Sequence, residues 1–390
     1  MEQYRPAAQR RARRSTPDPM PSVSVSAIHA TVLWGTFVLS LLFGAIMQRT
    51  RFCTMGSVSD IVNMGSWLRM RMWVLAIATA TAGFNLLAAS GQIDAAQTIY
   101  TTSRVLWLSA LVGGVLFGFG MVLASGCGSK TLVRIGEGNL KAVVVFLMIA
   151  VFAYITLRGL TAEVRVHVLD RVAVQLSGPQ DLPAIVSRLT GLPLARLQLA
   201  FGLGVSLLLG GWALSAREFR TANNLVAGFG LGAIIVGVWF LSGKLGFLAE
   251  DPQTLQAAYI GTQNNKMESL SFVAPLAYTL FWFMMYSDAS NVLTLGIVSV
   301  FGVIAGSAIM ALLGRHFRWE GFRGVEDTAN HLVGGALMGI GGVTALGCTI
   351  GQGMSGVSTL SVTSWIAFLS IVGGAVLGVK YQAWRVERTM

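Results

Sequence analysis

Residues 112–127 read VGGVLFGFGMVLASGC, and residues 333–348 read VGGALMGIGGVTALGC. The two segments match at ten of 16 positions without a gap, and both end on Gly-Cys. Ten matches in one register are more than glycine bias explains, so they indicate an internal repeat. Both segments are followed by Gly-, Ser- and Thr-rich stretches that make poor spanning helices, GSKTLVRIGEG and TIGQGMSGVST. At membrane depth such backbone is tolerated only where protein or a water-filled cavity satisfies it, so both stretches are predicted to be re-entrant.

The composition places this repeat in a membrane protein. Of the 390 residues, 54% are hydrophobic and only 12% are charged, against roughly 25% charged in an ordinary soluble domain. These values exclude a disordered chain, a coiled coil and a nucleic-acid-binding protein. The net charge of +11 is then ascribed to Lys and Arg in cytoplasmic loops. Three cysteines are too few, and too far apart in sequence, for a disulfide framework.

Uncharged stretches near 20 residues, the length that crosses a bilayer core, predict nine spans. A second, weaker self-match pairs GAIMQRTRF (44–52) with GVWFLSGKL (237–245). By position, FCTMGSVSDIVNM and SLSFVAPLAYTLFWF follow as two further re-entrant elements, although the latter, within 269–287, is apolar enough to span. Each half then has the order span, re-entrant, span, span, re-entrant, span. The predicted spans are 28–48, 72–91, 105–124 and 141–158, the joining span 197–216, and 221–242, 289–313, 329–346 and 361–379.

Four spans plus the joining span reverse the chain direction, so the two halves are predicted to be inverted. This is the plan of secondary transporters, whose substrate site lies near the midplane where broken helices meet. The predicted divisions are a basic polar tail (1–25), a first repeat (26–158), an extramembrane loop (159–196), the linking helix (197–216), a second repeat (217–380) and a C-terminal tail (381–390).

Loop charge predicts the orientation. One side of this topology collects ten Arg and Lys residues, and the positive-inside rule makes that side cytoplasmic. The C-terminus is then cytoplasmic and the N-terminus periplasmic, although five arginines between residues 5 and 14 argue against the latter.

Cys53, Cys127 and Cys348 all lie where helices are predicted to break. A cysteine in a membrane helix is commonly only a small packing residue, but the repeat of the Gly-Cys ends argues for more at Cys127 and Cys348. A thiol removed from water stays protonated and is a weak S–H donor with a polarizable sulfur. Such groups suit an anion with a soft sulfur end, and the exposed helix N-termini at the breaks also bind anions.

Several polar residues are candidates for supporting roles around this path. Cations near the mouths add positive field, amides donate to an oxyanion, and an ionisable residue at membrane depth is a functional candidate by default. Glu137 is as readily a surface residue, and the glutamines are as readily helix caps. No metal-ligand spacing and no cofactor motif is found in the sequence. The supporting candidates are Gln48, Arg51, Lys130, Glu137, Lys244 and Gln352.

Three segments carry a family resemblance. GAIMQRTRFC (44–53), GFGMVLASGCGSKTLVRIGEGNLKA (118–142) and GIGGVTALGCTIGQGMSG (339–356) resemble the three cysteine motifs of the YeeE/YedE sulfur-transport family. The likeness covers nearly all of the hydrophobic part of the chain. It implies an all-α, hourglass-shaped inner-membrane protein of nine spanning helices plus short inserted ones, in two pseudo-symmetric halves.

The resemblance further implies thiosulfate import, with the anion relayed between Cys53, Cys127 and Cys348 by transient thiol hydrogen bonds. A TusA-like sulfur-carrier protein is an implied partner. The same family includes proteins associated with selenium or other sulfur compounds, which leaves the substrate open. A membrane-embedded sulfurtransferase that forms a cysteine persulfide is the alternative, and against it no base is paired by sequence with any cysteine. A passive channel or structural subunit is a third reading.

Overall fold

The computed structural model describes residues 25–251, 255–288 and 291–389, so nearly all of the predicted tail at 1–25 lies outside the described residues. The chain is mostly helical, at 73%. The principal helices are α1 (Val25–Thr50), α2 (Thr54–Met64), α3 (Leu68–Ala89), α4 (Trp107–Leu123), α5 (Gly128–Gly136), α6 (Leu140–Arg158), α7 (Leu182–Thr190), α8 (Leu194–Ser215), α9 (Ala222–Leu245), α10 (Ala274–Met284), α11 (Leu295–Leu313), α12 (Val325–Thr344), α13 (349–358) and α14 (Val362–Thr389).

Short elements fill the connections between these helices. They are the helical turns Ala95–Gln97, Leu160–Val164, Arg165–Leu169 and Arg217–Phe219, and two antiparallel strand pairs, β1 (Arg104–Val105) with β2 (Val174–Gln175) and β3 (Phe247–Leu248) with β4 (Ala258–Tyr259).

Eight helical segments in the described part of the chain are long and apolar enough to cross a membrane. Two of them, Val25–Met64 and Trp107–Gly136, each join a long helix to the short helix that follows it. The composition therefore gave the right class, an all-α polytopic membrane protein. The helix α12 is as long as these, but its first turns carry Glu326, Asp327 and His331.

Short helices form at all four sites where re-entrant elements are predicted. The helices α2, α5 and α10 have 11, 9 and 11 residues, and at ~1.5 Å per residue none is longer than ~17 Å. That is about half of the ~30 Å hydrocarbon core. The apolar stretch at 269–287 is thus a half-length helix, which starts beside Pro275. In α13 the six residues Gly351–Gly356 have π-helical geometry.

The repeated segments cross each other in the centre of the molecule. A Cβ on Gly341 would lie 2.5 Å from the backbone nitrogen of Phe117 and 2.6 Å from the carbonyl oxygen of Gly113. A Cβ on Gly120 would lie 2.7 Å from the carbonyl oxygen of Gly334. In the alignment of the repeat, Gly113 corresponds to Gly334 and Gly120 to Gly341. Gly113 therefore contacts the repeat equivalent of Gly120, and Gly120 contacts the repeat equivalent of Gly113. Only glycine lets the two backbones approach this closely.

Two further helix–helix contacts each have an equivalent contact in which the corresponding helices of the two repeats are exchanged. The helix α1 packs on α11, and α9 packs on α3. Likewise α4 packs on α14, and α12 packs on α6. The helix α8 lies against α3. These pairings leave the breaks before α2, α5, α10 and α13 inside the bundle.

The connection at 159–196 is partly structured and docks onto the second half of the chain. Gln180 accepts hydrogen bonds from the backbone and hydroxyl of Thr363, and the N–H of Leu182 donates to the carbonyl of Leu360. At the other end of the chain, α14 continues through Thr389, so most of the stretch 381–390 is helical.

Candidate functional site

Each of the three cysteines stands directly before a short helix. Cys53 is the N-cap of α2, and its Sγ accepts from the Gly56 N–H at 3.4 Å. Cys127 is the N-cap of α5, and its Sγ lies 3.2 Å from the Ser129 hydroxyl. Cys348 precedes α13, and its Sγ accepts from the Gly351 N–H at 3.4 Å. The sulfurs therefore lie at helix ends that carry positive partial charge.

The same backbone turn precedes each of the three cysteines. Arg51, Ser125 and Leu346 each lie two residues before a cysteine and have φ of 52°, 58° and 59°. In each turn the next N–H donates to a carbonyl five residues back, as in Phe52 to Met47 at 3.2 Å. This left-handed cap ends the preceding helix, and the cysteine two residues later opens the next one. Non-glycine residues pay for this conformation, and such strain clusters at functional sites.

The short helices begin close to one another. The Sγ of Cys348 also accepts from the backbone N–H of Phe272, at 3.3 Å, just before the α10 N-cap Val273. A Cβ on Gly128, the first residue of α5, would lie 3.0 Å from the carbonyl oxygen of Phe272. Ser125, two residues before Cys127, lines one cavity together with Cys53. Cys127 thus lies near both other cysteines. The fourth short helix, α10, begins after Val273 instead of a cysteine.

Cys53 opens onto a basic cavity of about 420 Å³. Lys130 and Glu137, both predicted as supporting residues, line it, with Nζ 3.8 Å from Oε1. Among the described residues no ion pair engages Arg51, Arg134 or Arg318. Positive charge is therefore in excess here, which suits an anion. The charged lining residues are Arg51, Arg69, Lys130, Arg134, Glu137, Arg318 and Glu320.

Lys244 lies apart from the basic cavity, near the end of α9. It lines a second cavity, of about 610 Å³, together with Asp94 and Tyr259. The helix α3 begins at the first cavity with Arg69 and ends at the second with Ala88 and Ala89. At ~1.5 Å per residue its 22 residues span ~33 Å, so the two cavities lie at opposite faces of the membrane.

The two predicted glutamines are buried near the breaks. Gln48 is on the last turn of α1, and its carbonyl accepts from the Arg51 N–H at 3.3 Å. Gln352 is on α13, and its Nε2 donates to the carbonyl of Ala345 at 2.6 Å. Its Oε1 has no hydrogen-bond partner among the described residues, although the side chain is fully buried.

Sequence reasoning missed Phe272 and the cavity residues Arg69 and Arg318. Phe272 contributes only backbone groups to Cys348, so its side chain gave no signal. Arg69 and Arg318 were counted as loop charges, and only the fold shows that they line the same cavity as Cys53.

The amino-acid sequence is similar to known transport proteins over most of its length. The family model described as sulphur transport matches residues 49–377. The thiosulfate transporter TsuA of Escherichia coli K12 is 27% identical over 353 residues, which cover 90% of this chain and 93% of that protein. The thiosulfate transporter TsuA of Spirochaeta thermophila is 24% identical over 377 residues, covering 92% and 100%. The probable transporter YedE of Salmonella typhimurium is 25% identical over 117 residues, covering 30% and 27%.

Proposed function

The chain belongs to the sulphur transport family, and from this membership we propose that it carries thiosulfate, or a related small sulfur-containing anion, across the membrane. Two relatives that align over about 90% or more of both chains are named as thiosulfate transporters. The anion passes Cys53, Cys127 and Cys348 in a relay of thiol hydrogen bonds, without net covalent change.

The observation that carries the proposal is the threefold use of one turn to set a thiol at a buried helix N-terminus. Backbone N–H groups and the helix dipole favour the negative end of the anion. The polarizable thiols favour its terminal sulfur. Two entrances with Arg51 and Lys244 at matched positions of the weaker repeat supply positive field on either side.

The proposal includes two inverted halves, nine spanning helices and four re-entrant ones. The reciprocal Gly113–Gly341 and Gly120–Gly334 contacts support this symmetry, because an axis between α4 and α12 exchanges them. The ninth span is α12. The polar start of this helix is satisfied by protein, since Asp327 accepts from Lys141 Nζ at 2.9 Å.

Import into the cytoplasm of a bacterial inner membrane is the proposed direction. The side that holds Arg51, Arg69, Arg134 and Arg318 is the richer in cations, and the positive-inside rule makes it cytoplasmic. Since Cys53 lines the cavity on that side, a TusA-like sulfur-carrier protein is the proposed partner there.

Uptake of labelled thiosulfate into proteoliposomes tests the function. The wild-type protein accumulates label, Cys127→Ser loses about tenfold or more because oxygen replaces the soft sulfur, and Thr131→Ser on the same short helix behaves as wild type. Absence of wild-type uptake contradicts transport, and full uptake by Cys127→Ser contradicts the relay. A stable sulfur adduct on a cysteine, found by mass spectrometry after turnover, supports a sulfurtransferase instead.

A further inference from the structure

A carboxyl group is fixed next to the cavity that Lys244 lines, because the neighbouring Met267 packs against the lining residue Gly243. Glu268 lies in the irregular stretch between α9 and α10, outside the spanning helices. Its Oε1 accepts from the Gln263 N–H at 2.6 Å, and its own backbone carbonyl accepts from the Ser242 hydroxyl at 2.6 Å. Its neighbours Met267 and Ser269 are buried. The carboxyl is therefore held in place at the end of α9 rather than free on a surface loop.

A tyrosine lies close to Cys348, the cysteine nearest to this carboxyl in the fold. Glu268 lies four residues before Phe272, whose N–H donates to the Sγ of Cys348. Tyr100 is 3% exposed. Its hydroxyl is 3.5 Å from the Cβ position of Gly351, the residue whose N–H donates to Cys348 Sγ. The carboxyl, the phenol and the thiol therefore lie in one neighbourhood of the fold.

The surroundings of Glu268 raise its pKa, so the protonated and ionised forms are both populated near neutral pH. Burial raises the pKa of Glu268 to about 7, and the hydrogen bond from Gln263 opposes this only in part. Such a carboxyl is protonated below about pH 7 and ionised above it. The titratable and charged side chains on its own stretch are Glu250, Asp251, Tyr259 and Lys266. Those on the elements around it are Asp94, Tyr100, Lys244 and Tyr278.

Building on the transport function proposed above, we propose that Glu268 is a proton-binding site that controls admission of the anion to Cys348, and that Tyr100 positions the anion there. An ionised Glu268 places a negative charge beside the approach to Cys348, where low dielectric strengthens repulsion of an incoming anion. A proton removes that charge. The Tyr100 hydroxyl then donates to the anion next to the Cys348 thiol.

Thiosulfate uptake into proteoliposomes at different external pH tests this inference. Thiosulfate remains a dianion over this range, so its own charge does not change. Wild-type uptake should fall about tenfold between about pH 6 and pH 8, as the protonated fraction of a group titrating near 7 falls. Glu268→Gln, which is uncharged at every pH, should keep its uptake at high pH and lose the dependence.

Three further variants complete the test. Glu268→Asp retains a titrating carboxyl, so its uptake should still fall as pH rises. Glu250→Gln removes an exposed carboxylate of the same stretch and should leave the wild-type profile unchanged. Tyr100→Phe should raise KM at every pH. Variants are compared per amount of protein that elutes as a single species in detergent.

The outcomes separate this inference from the proposed function. A wild-type uptake that is flat across this range, a Glu268→Gln profile that still falls with pH, or loss of uptake by folded Glu268→Gln at every pH overturns the role of Glu268. Unchanged KM in Tyr100→Phe overturns the role of Tyr100. Absence of wild-type thiosulfate uptake at any pH instead contradicts the transport function.

Discussion

Each cysteine owes its position to a residue two places earlier that adopts the left-handed conformation. The cysteines themselves could be predicted as site residues, because two of them end a repeated segment and all three lie next to stretches that make poor helices. The turn could not be predicted. Glycine is the usual residue at such a φ, and Arg51, Ser125 and Leu346 carry no such signal.

Ser125→Gly tests the strain in this turn. Removal of the Cβ relieves a left-handed serine, so we expect the free energy of unfolding to rise by about 1 kcal/mol. The measurement is the thermal midpoint of the purified protein in detergent. The neighbouring Ala124 has φ of −82° and is buried, so Ala124→Gly should lower the midpoint. A midpoint that falls in Ser125→Gly contradicts the strain argument.

The short helices follow largely from local composition. Two of them, α5 and α13, contain enough Gly, Ser and Thr to disfavour a full span, so their sites could be predicted from composition, whereas α2 was predicted from its position in the repeat. The sequence of α10 is apolar and gave no such signal. This helix begins beside Pro275 and ends at Met284. The polar residues Ser287 and Asp288 follow outside the helix. Periodicity cannot supply those limits.

The close crossing of α4 and α12 predicts that replacing a glycine at the crossing destabilises the protein more than replacing a glycine elsewhere. Gly341→Ala places a methyl group 2.5 Å from the Phe117 nitrogen, which α4 can accommodate only by moving away. We expect a loss of several kcal/mol, within the range found for overpacked or strained cores, seen as a large drop in the thermal midpoint. Gly373 on α14 has open space at its Cβ position, so Gly373→Ala is the control.

The control substitution should keep or raise the midpoint, since alanine favours a helix by about 1 kcal/mol over glycine. Equal effects of the two substitutions would contradict the close approach of α4 and α12.

The whole molecule joins residues that sequence reasoning had no means to pair. Tyr100 and Glu268 are 168 positions apart in sequence, yet both lie near Cys348. Arg69 and Arg318 come from different halves of the chain, yet both line the same cavity. Such contacts depend on how the helices pack rather than on local pattern. Composition and loop charge could therefore predict the class of protein and a preferred orientation, but not the lining of either entrance.

Accessibility of the thiols tests both the orientation and the closed centre. Of the three cysteines, Cys53 is 9% exposed and lines the basic cavity, while Cys127 and Cys348 are 1% and 0% exposed. If the cavity faces the cytoplasm, a membrane-impermeant thiol reagent should label inside-out vesicles at Cys53 far faster than right-side-out vesicles. Added thiosulfate should slow that labelling, because an anion held in the cavity covers the sulfur.

Cys53→Ser should remove the labelling, and Glu250→Gln should leave it unchanged. Faster labelling of Cys53 in right-side-out vesicles would reverse the proposed orientation, and labelling of Cys127 or Cys348 at the same rate would contradict a closed centre.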